Sequence, residues 1–180
     1  MSLYLMGNNR VFALAALLLV LLGCIGGQQS YEDRLKGFSV SYPAGWAVYD
    51  DGLRTIFSPP AQGSQIAVLS TYSSENATLR NLSLSMLSRI SSPSGDVRVL
   101  SQSQAPSVLA GLPALEQRVW LLDERNGTSK RSYAHFAYAR NGQRYYIVFL
   151  VFEPGYAENS TLLEERENEF ASLLASFKLV

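Results

Sequence analysis

Residues 114–152 read ALEQRVWLLDERNGTSKRSYAHFAYARNGQRYYIVFLVF. Three segments, Ala114–Asp123, Arg131–Arg140 and Gln143–Phe152, are separated by Asn126-Gly127 and Asn141-Gly142. Asn-Gly between alternating segments signals a hairpin, because both residues accept positive φ. The stretch therefore reads as an antiparallel meander. With two-residue turns at both links, Arg118 faces His135 and Val148, and Trp120 faces Tyr133 and Leu150. On the opposite side Val119, Ala134 and Phe149 align. The last strand, Tyr145–Phe152 (YYIVFLVF), is apolar on both faces. An antiparallel strand of that kind needs cover front and back.

Two amphipathic helices are available as cover. Ser160–Phe177 carries Leu163, Phe170, Leu173, Leu174 and Phe177 on one stripe, with Asn159, Ser160 or Thr161 as its cap. Its glutamates 164, 165, 167 and 169 lie mostly off that stripe, and the early acidic residues suit the positive end of the helix dipole. Thr78–Ser91 carries Leu79, Leu82, Met86 and Ile90, with Ser74, Asn76 or Thr78 as the cap. Shorter strands are expected at Arg54–Ser58, Gln65–Tyr72 and Asp96–Ser101, whereas residues 102–112 read as a loop or weak strand. The fold class is α+β: a curved antiparallel sheet flanked by helices on both faces, an α/β/α sandwich, in one domain over residues 35–180.

The amino-terminal part has another purpose. Val11–Leu22 (VFALAALLLVLL) is an unbroken apolar run preceded by Arg10, too short for a comfortable membrane span. Leu21-Leu22-Gly23-Cys24 then resembles the cleavage box of a lipoprotein signal peptide. Residues 1–23 read as that signal, Cys24 as the lipidated residue, and residues 24–34 as a flexible tether. The expected location is the outer face of the cytoplasmic membrane, with an uncleaved signal anchor as the alternative. Cys24 is the only cysteine, so no internal disulfide can form.

Gly37–Trp46, GFSVSYPAGW, opens the domain. Phe38, Val40 and Tyr42 alternate with serines, Pro43-Ala44-Gly45 makes a turn, and Trp46 and Val48 begin a second strand, so a hairpin is expected. The motif Phe38, Val40, Tyr42, Pro43, Gly45 and Trp46 resembles the opening of PsbP-like proteins and their Mog-type relatives. Gly142, Tyr145 and Tyr146 resemble that family's G-x-x-Y-Y segment, and Ser176-Phe177 resembles its S-F close. The similarity spans residues 35–180 and implies the family's sandwich fold. It also implies a non-catalytic role, since known members are extrinsic photosystem subunits, assembly factors or binding modules. No metal-linked residues carry over.

Composition narrows the chemistry. Among 180 residues, Lys+Arg and Asp+Glu are both 15, so no basic surplus points to nucleic acid. The single histidine, His135, rules out a Cys/His metal site within this chain, and no G-x-S-x-G elbow, P-loop or dinucleotide fingerprint is present. No cofactor is expected. Asp50-Asp51 and Asp123-Glu124 read as solvated turn and strand-end carboxylates. The candidate binding face is Glu116, Arg118, Trp120, Tyr133 and His135, where charge mixes with aromatics. The competing reading covers these aromatics with the second helix or a loop and makes Glu116–Arg118 a plain cross-strand pair. Asn76, Asn126 and Asn159 begin N-x-Ser/Thr tripeptides and are candidate glycosylation sites, with Asn81 less suited inside a helix.

These readings converge on a membrane-anchored extracytoplasmic lipoprotein. It acts as a non-catalytic binding, scaffold or assembly module and presents a sheet edge or helix face to a membrane or extracytoplasmic protein. A lipoprotein holding a small ligand between helix and sheet is the alternative. A hydrolase working through His135 is a third.

Overall fold

The computed structural model describes residues 27–72, 77–91, 96–124 and 128–180. The signal segment, Cys24, Asn76 and Asn126 lie outside them. Among the described residues the strands are β1 (Gln28–Asp33), β2 (Phe38–Pro43), β3 (Ala47–Asp50), β4 (Arg54–Ser58), β5 (Ser64–Tyr72), β6 (Val97–Leu109), β7 (Leu112–Asp123), β8 (Lys130–Asn141), β9 (Arg144–Phe152) and β10 (Lys178–Leu179). Helix α1 is Leu79–Ile90 and α2 is Ser160–Ser176. Thr78 caps α1 by accepting from the Asn81 amide, and Asn159 caps α2 by accepting from the Leu162 amide. The fold is α+β and mostly antiparallel.

The strands form two sheets, where the sequence reads as one. The larger runs β3-β4-β5-β9-β8-β7-β6 and the smaller β1-β2-β10. The expected opening hairpin is accordingly replaced. β2 and β3 follow each other through the Pro43–Trp46 turn, but β2 pairs with β1 and β10 whereas β3 pairs with β4. Alternation marks a strand's buried face and is silent about which backbone it pairs with. The tether is also shorter than expected. Gln28–Asp33 is a strand whose only partly buried residues are Tyr31 and Asp33, so apolar periodicity could not reveal it.

The central meander forms as expected, with one change of register. β7 and β8 pair Arg118 with His135, Trp120 with Tyr133 and Val119 with Ala134. In β8 and β9, however, His135 faces Leu150, Ala134 faces Val151 and Ala137 faces Val148. The last ladder pair is Asn141 with Arg144, so the two turn residues are Gly142 and Gln143. Gly142 has φ 62°, which puts the positive φ at the first turn position. The register differs from expectation by two residues. Because side chains alternate with period two, every one stays on its anticipated face.

Two apolar clusters form the core among the described residues. Phe38, Val40, Phe57, Ile66, Val68, Val148 and Leu150 form one, together with Phe170, Leu173 and Phe177 from α2 and its end. Val119, Phe136, Tyr138, Ile147 and Phe149 form the other, with Leu79, Leu82, Met86 and Ile90 of α1 packed against it. The motif residues at the two chain ends meet in the first cluster. The Phe38 and Phe177 rings stack at 5.5 Å, the Tyr146 ring lies edge-on to Phe177, and the Tyr146 hydroxyl donates to the Gly37 carbonyl at 3.1 Å. Ser176 receives the Ser41 amide at 2.8 Å. These residues act by closing the small sheet onto α2.

β6 differs from expectation as well. It is one strand of thirteen residues, paired with β7 throughout and interrupted by a bulge between Val99 and Ser101. Its central run SQSQAP is exposed and uncharged, so it lacks the apolar alternation by which strands are recognised. Pro106 is tolerated because β6 is an edge.

Candidate functional site

Glu116, Arg118 and Trp120 alternate along β7 and therefore share a face, which Tyr133 and His135 join from β8. The structure brings all five predicted residues together and lays α2 across them. Glu167 of α2 is the added member. His135 is 2% exposed. Its Nδ1 lies 3.0 Å from both carboxylate oxygens of Glu167, and its Nε2 lies 3.2 Å from Oε2 of Glu116. A neutral imidazole has one N–H and can donate to one of these carboxylates; a ring donating to both carries both protons. The Tyr133 hydroxyl donates to Glu167 at 2.8 Å, and the Ser107 hydroxyl of β6 donates to Glu116 at 2.6 Å. Arg118 spans the pair from the solvent side, 3.7 Å from Glu116 and 3.6 Å from Glu167. The Phe170 ring closes the remaining side of His135 at 4.7 Å.

The electrostatics follow from that enclosure. Burial pushes the Glu167 carboxyl up, but the hydrogen bond and charge of His135, the Tyr133 hydroxyl and the Arg118 charge outweigh it. The carboxyl therefore sits below its ordinary range. Burial, reinforced by the adjacent Glu167, raises the Tyr133 phenol far above its usual value. It is a permanent donor. The polar atoms converge on one another, so the cluster functions as an ionic joint between β7, β8 and α2. Trp120 sits at its rim, half-buried, with its ring 5.0 Å from Tyr133.

Glu167, Ser107 and Phe170 escaped the sequence reading of this face. A signal for Glu167 was present: Leu163, Glu167, Phe170 and Leu174 follow steps of four, three and four, which puts the glutamate on the apolar stripe. Arg166 is likewise buried, at 4% exposed. It pairs with Glu165 and Glu169 and lies over the Trp46 ring at 5.7 Å. Among the described residues, no group of three or more His, Cys, Asp or Glu side chains is arranged to hold a metal ion. No described helix is long and apolar enough to cross a membrane. Asn159 is exposed and uses its side-chain oxygen as the α2 cap.

Comparison with solved structures defines the architecture. No family model and no curated protein matches the chain. Among solved structures, cyanobacterial PsbP (CyanoP) from Synechocystis sp. PCC 6803 superposes with a TM-score of 0.57 at 16% identity, covering 87% of this chain and 94% of that one. The Saccharomyces cerevisiae Ran-binding protein Mog1p gives a TM-score of 0.55 at 8% identity, with coverages of 86% and 96%. LpqN, involved in cell envelope biogenesis of Mycobacterium tuberculosis, gives 0.51 at 11% identity, with coverages of 85% and 91%. The chain has the PsbP/Mog1 fold. At these identities the likeness is one of fold.

Proposed function

We propose that this chain is a lipid-anchored, extracytoplasmic, non-catalytic binding or assembly module. The observation carrying this reading is β6, a thirteen-residue edge strand exposed along almost its whole length. An open edge is a row of backbone donors and acceptors ready for another strand. The solved relatives of this fold include one described as Ran-binding and one involved in cell envelope biogenesis, which agrees with protein-directed work outside catalysis. The ionic joint also fits. Its histidine is occupied on both nitrogens and enclosed, a poor arrangement for a general base that must reach a substrate. The small-ligand alternative is weaker because the polar groups point at each other rather than into a cavity. We read the two apolar clusters as the helix-covered faces of an α/β/α sandwich.

Lipidation of Cys24 would place the domain close to the bilayer. The Gly27 carbonyl already accepts from the Ala44 amide at 2.6 Å, so only three residues, about 10 Å when extended, separate the fold from the lipid. Two acyl chains on one cysteine hold such a domain firmly. The experiment is metabolic labelling with a clickable fatty acid, followed by crosslinking and recovery of the tagged full chain from its own membranes. The expected result is label and membrane sedimentation for the wild type, both lost in Cys24→Ser, with protein crosslinks mapping to β6. An unlabelled chain without crosslinks at β6 would overturn the proposal.

A further inference from the structure

We infer that the occupant of the β6 edge is a second copy of this chain, joined antiparallel about a two-fold axis through Ser103. The inference rests on the binding-module reading above and names its partner. Three observations lead to it. First, β6 has one charged residue, Arg98, and that residue is paired with Glu124 at 3.0 Å. Edge strands that avoid pairing carry charges, prolines or bulges; the run Ser101–Ala105 has no charge, and the bulge at Leu100 and Pro106 lie outside it. Second, the two irregularities of the strand select a register. The bulge at Leu100 ends regular pairing on one side, and Pro106, which has no N–H, ends it on the other. An axis at Ser103 is the one that lets the whole regular run Ser101–Ala105 pair while keeping both outside the new ladder. Ser101 then pairs with Ala105 of the second copy, Gln102 with Gln104, and Ser103 with itself. The two irregular ends meet each other. Third, the exposed apolar residues sit at those ends: Val99 is 40%, Leu100 47% and Val108 70% exposed. The axis carries Val108 of each copy to the end where Val99 and Leu100 of the other are bare.

An isologous contact of this kind is closed, because each edge is used up by the same edge of its partner. It joins the two large sheets into one. On the face bearing Arg118 and Trp120, the seam is lined by Ser101, Ser103 and Ala105, which lie beside Trp120, Arg118 and Glu116 in the β6–β7 register. The rims of the two ionic joints therefore flank a shallow trough of small residues. A five-residue ladder buries less than the roughly 1,200 Å² of a standard interface. Anchoring both copies in one membrane raises their effective concentration and compensates for that weakness.

The test is cysteine crosslinking of the full chain in its membranes, with copper–phenanthroline as oxidant. Ser103→Cys places two thiols directly opposite each other and should give a disulfide-linked dimer that the parent chain does not give. Gln102→Cys and Gln104→Cys should crosslink mainly when the two variants are mixed. In the detergent-solubilised chain, Ser103→Lys opposes two like charges and should weaken dimerisation at least about tenfold in Kd. Ser103→Thr should leave it intact, and the thermal midpoint of each variant reports that it is folded. Absence of a Ser103→Cys dimer from a folded chain overturns the proposal. A crosslink to a different protein also overturns it, while leaving the binding-module reading standing. Absence of every β6 crosslink removes both.

Discussion

His135 has two ring nitrogens and two carboxylates to satisfy them, and the geometry makes it the pivot between sheet and helix. Removing one partner of such a group leaves the other buried and uncompensated, which is worth more than the pair itself. Glu116 and Glu167 retain 22% and 24% side-chain exposure, so the penalty falls at the lower end of the buried range. His135→Ala should destabilise by about 3 kcal/mol, read as a lower urea midpoint at unchanged slope. Tyr133→Phe removes one hydroxyl donated to a charged acceptor and should cost about 1.5 kcal/mol. The pH dependence has a definite sign. The Glu167 carboxyl is depressed in the folded state, so its contribution is fully present above the ordinary carboxylate range and disappears as pH falls through the depressed value. Glu167→Gln should therefore be less stable than the wild type at neutral pH, and the two stability curves should converge on acidification. Curves that stay parallel would mean that the carboxylate does no electrostatic work.

At the scale of elements, alternation and helical stripes carried most of what could be read in advance. Both helices, with Thr78 and Asn159 each among three candidate caps, and the shared face of Glu116, Arg118, Trp120, Tyr133 and His135 follow from side-chain pattern, while the β7–β8 register follows from the Asn-Gly spacing. β1 and most of β6 do not, because strands exposed on both sides have no apolar face to display. The partner of β2 was hidden for a related reason: backbone pairing leaves no mark on side-chain order. In the site, Glu167 was missed because a charge on an apolar stripe looks like an exception to it. Turn chemistry located the β8–β9 hairpin but misplaced its centre by one position, since Gly142 alone supplies the positive φ. That glycine and Gly37 make a paired prediction. A Cβ on Gly142 meets open space, so Gly142→Ala should cost only the backbone strain, about 1 kcal/mol. A Cβ on Gly37, where φ is 74°, would run into the Arg144 guanidinium and come within 3.1 Å of the hydroxyl of the buried Tyr146. That guanidinium donates to the Leu35 carbonyl at 3.2 Å and stacks over Tyr72 at 4.5 Å. Gly37→Ala must displace it and should cost clearly more than Gly142→Ala in the same denaturation series.

For the whole molecule, the decisive question is where the cooperative unit begins. β1 contributes six ladder pairs to β2, from Gln28 with Pro43 to Asp33 with Phe38. Its Tyr31 ring covers Phe38 at 6.1 Å and meets Phe57 edge-on at 5.8 Å. Phe38 and Phe57 are wholly buried, and Phe38 in turn stacks on Phe177 at the end of α2. Deleting β1 thus uncovers the cluster that joins the small sheet, the large sheet and the last helix. It also leaves β2 with only the two residues of β10, Lys178 and Leu179, as strand partners. Two aromatic contacts, the apolar area that they bury and a ladder edge together contribute on the order of 3 kcal/mol or more, a large fraction of an ordinary domain's stability. A chain comprising residues 27–180 should unfold in one cooperative transition. One comprising residues 35–180 should unfold at a much lower urea concentration, with Phe38 and Phe177 exposed and α2 loosened. Hydrogen exchange would show the loss of protection in α2 and β2 before any loss in β8 and β9, which remain paired within the large sheet. Equal stability of the two chains would mean that β1 is an ornament on the domain and that residues 28–33 serve as spacer after all.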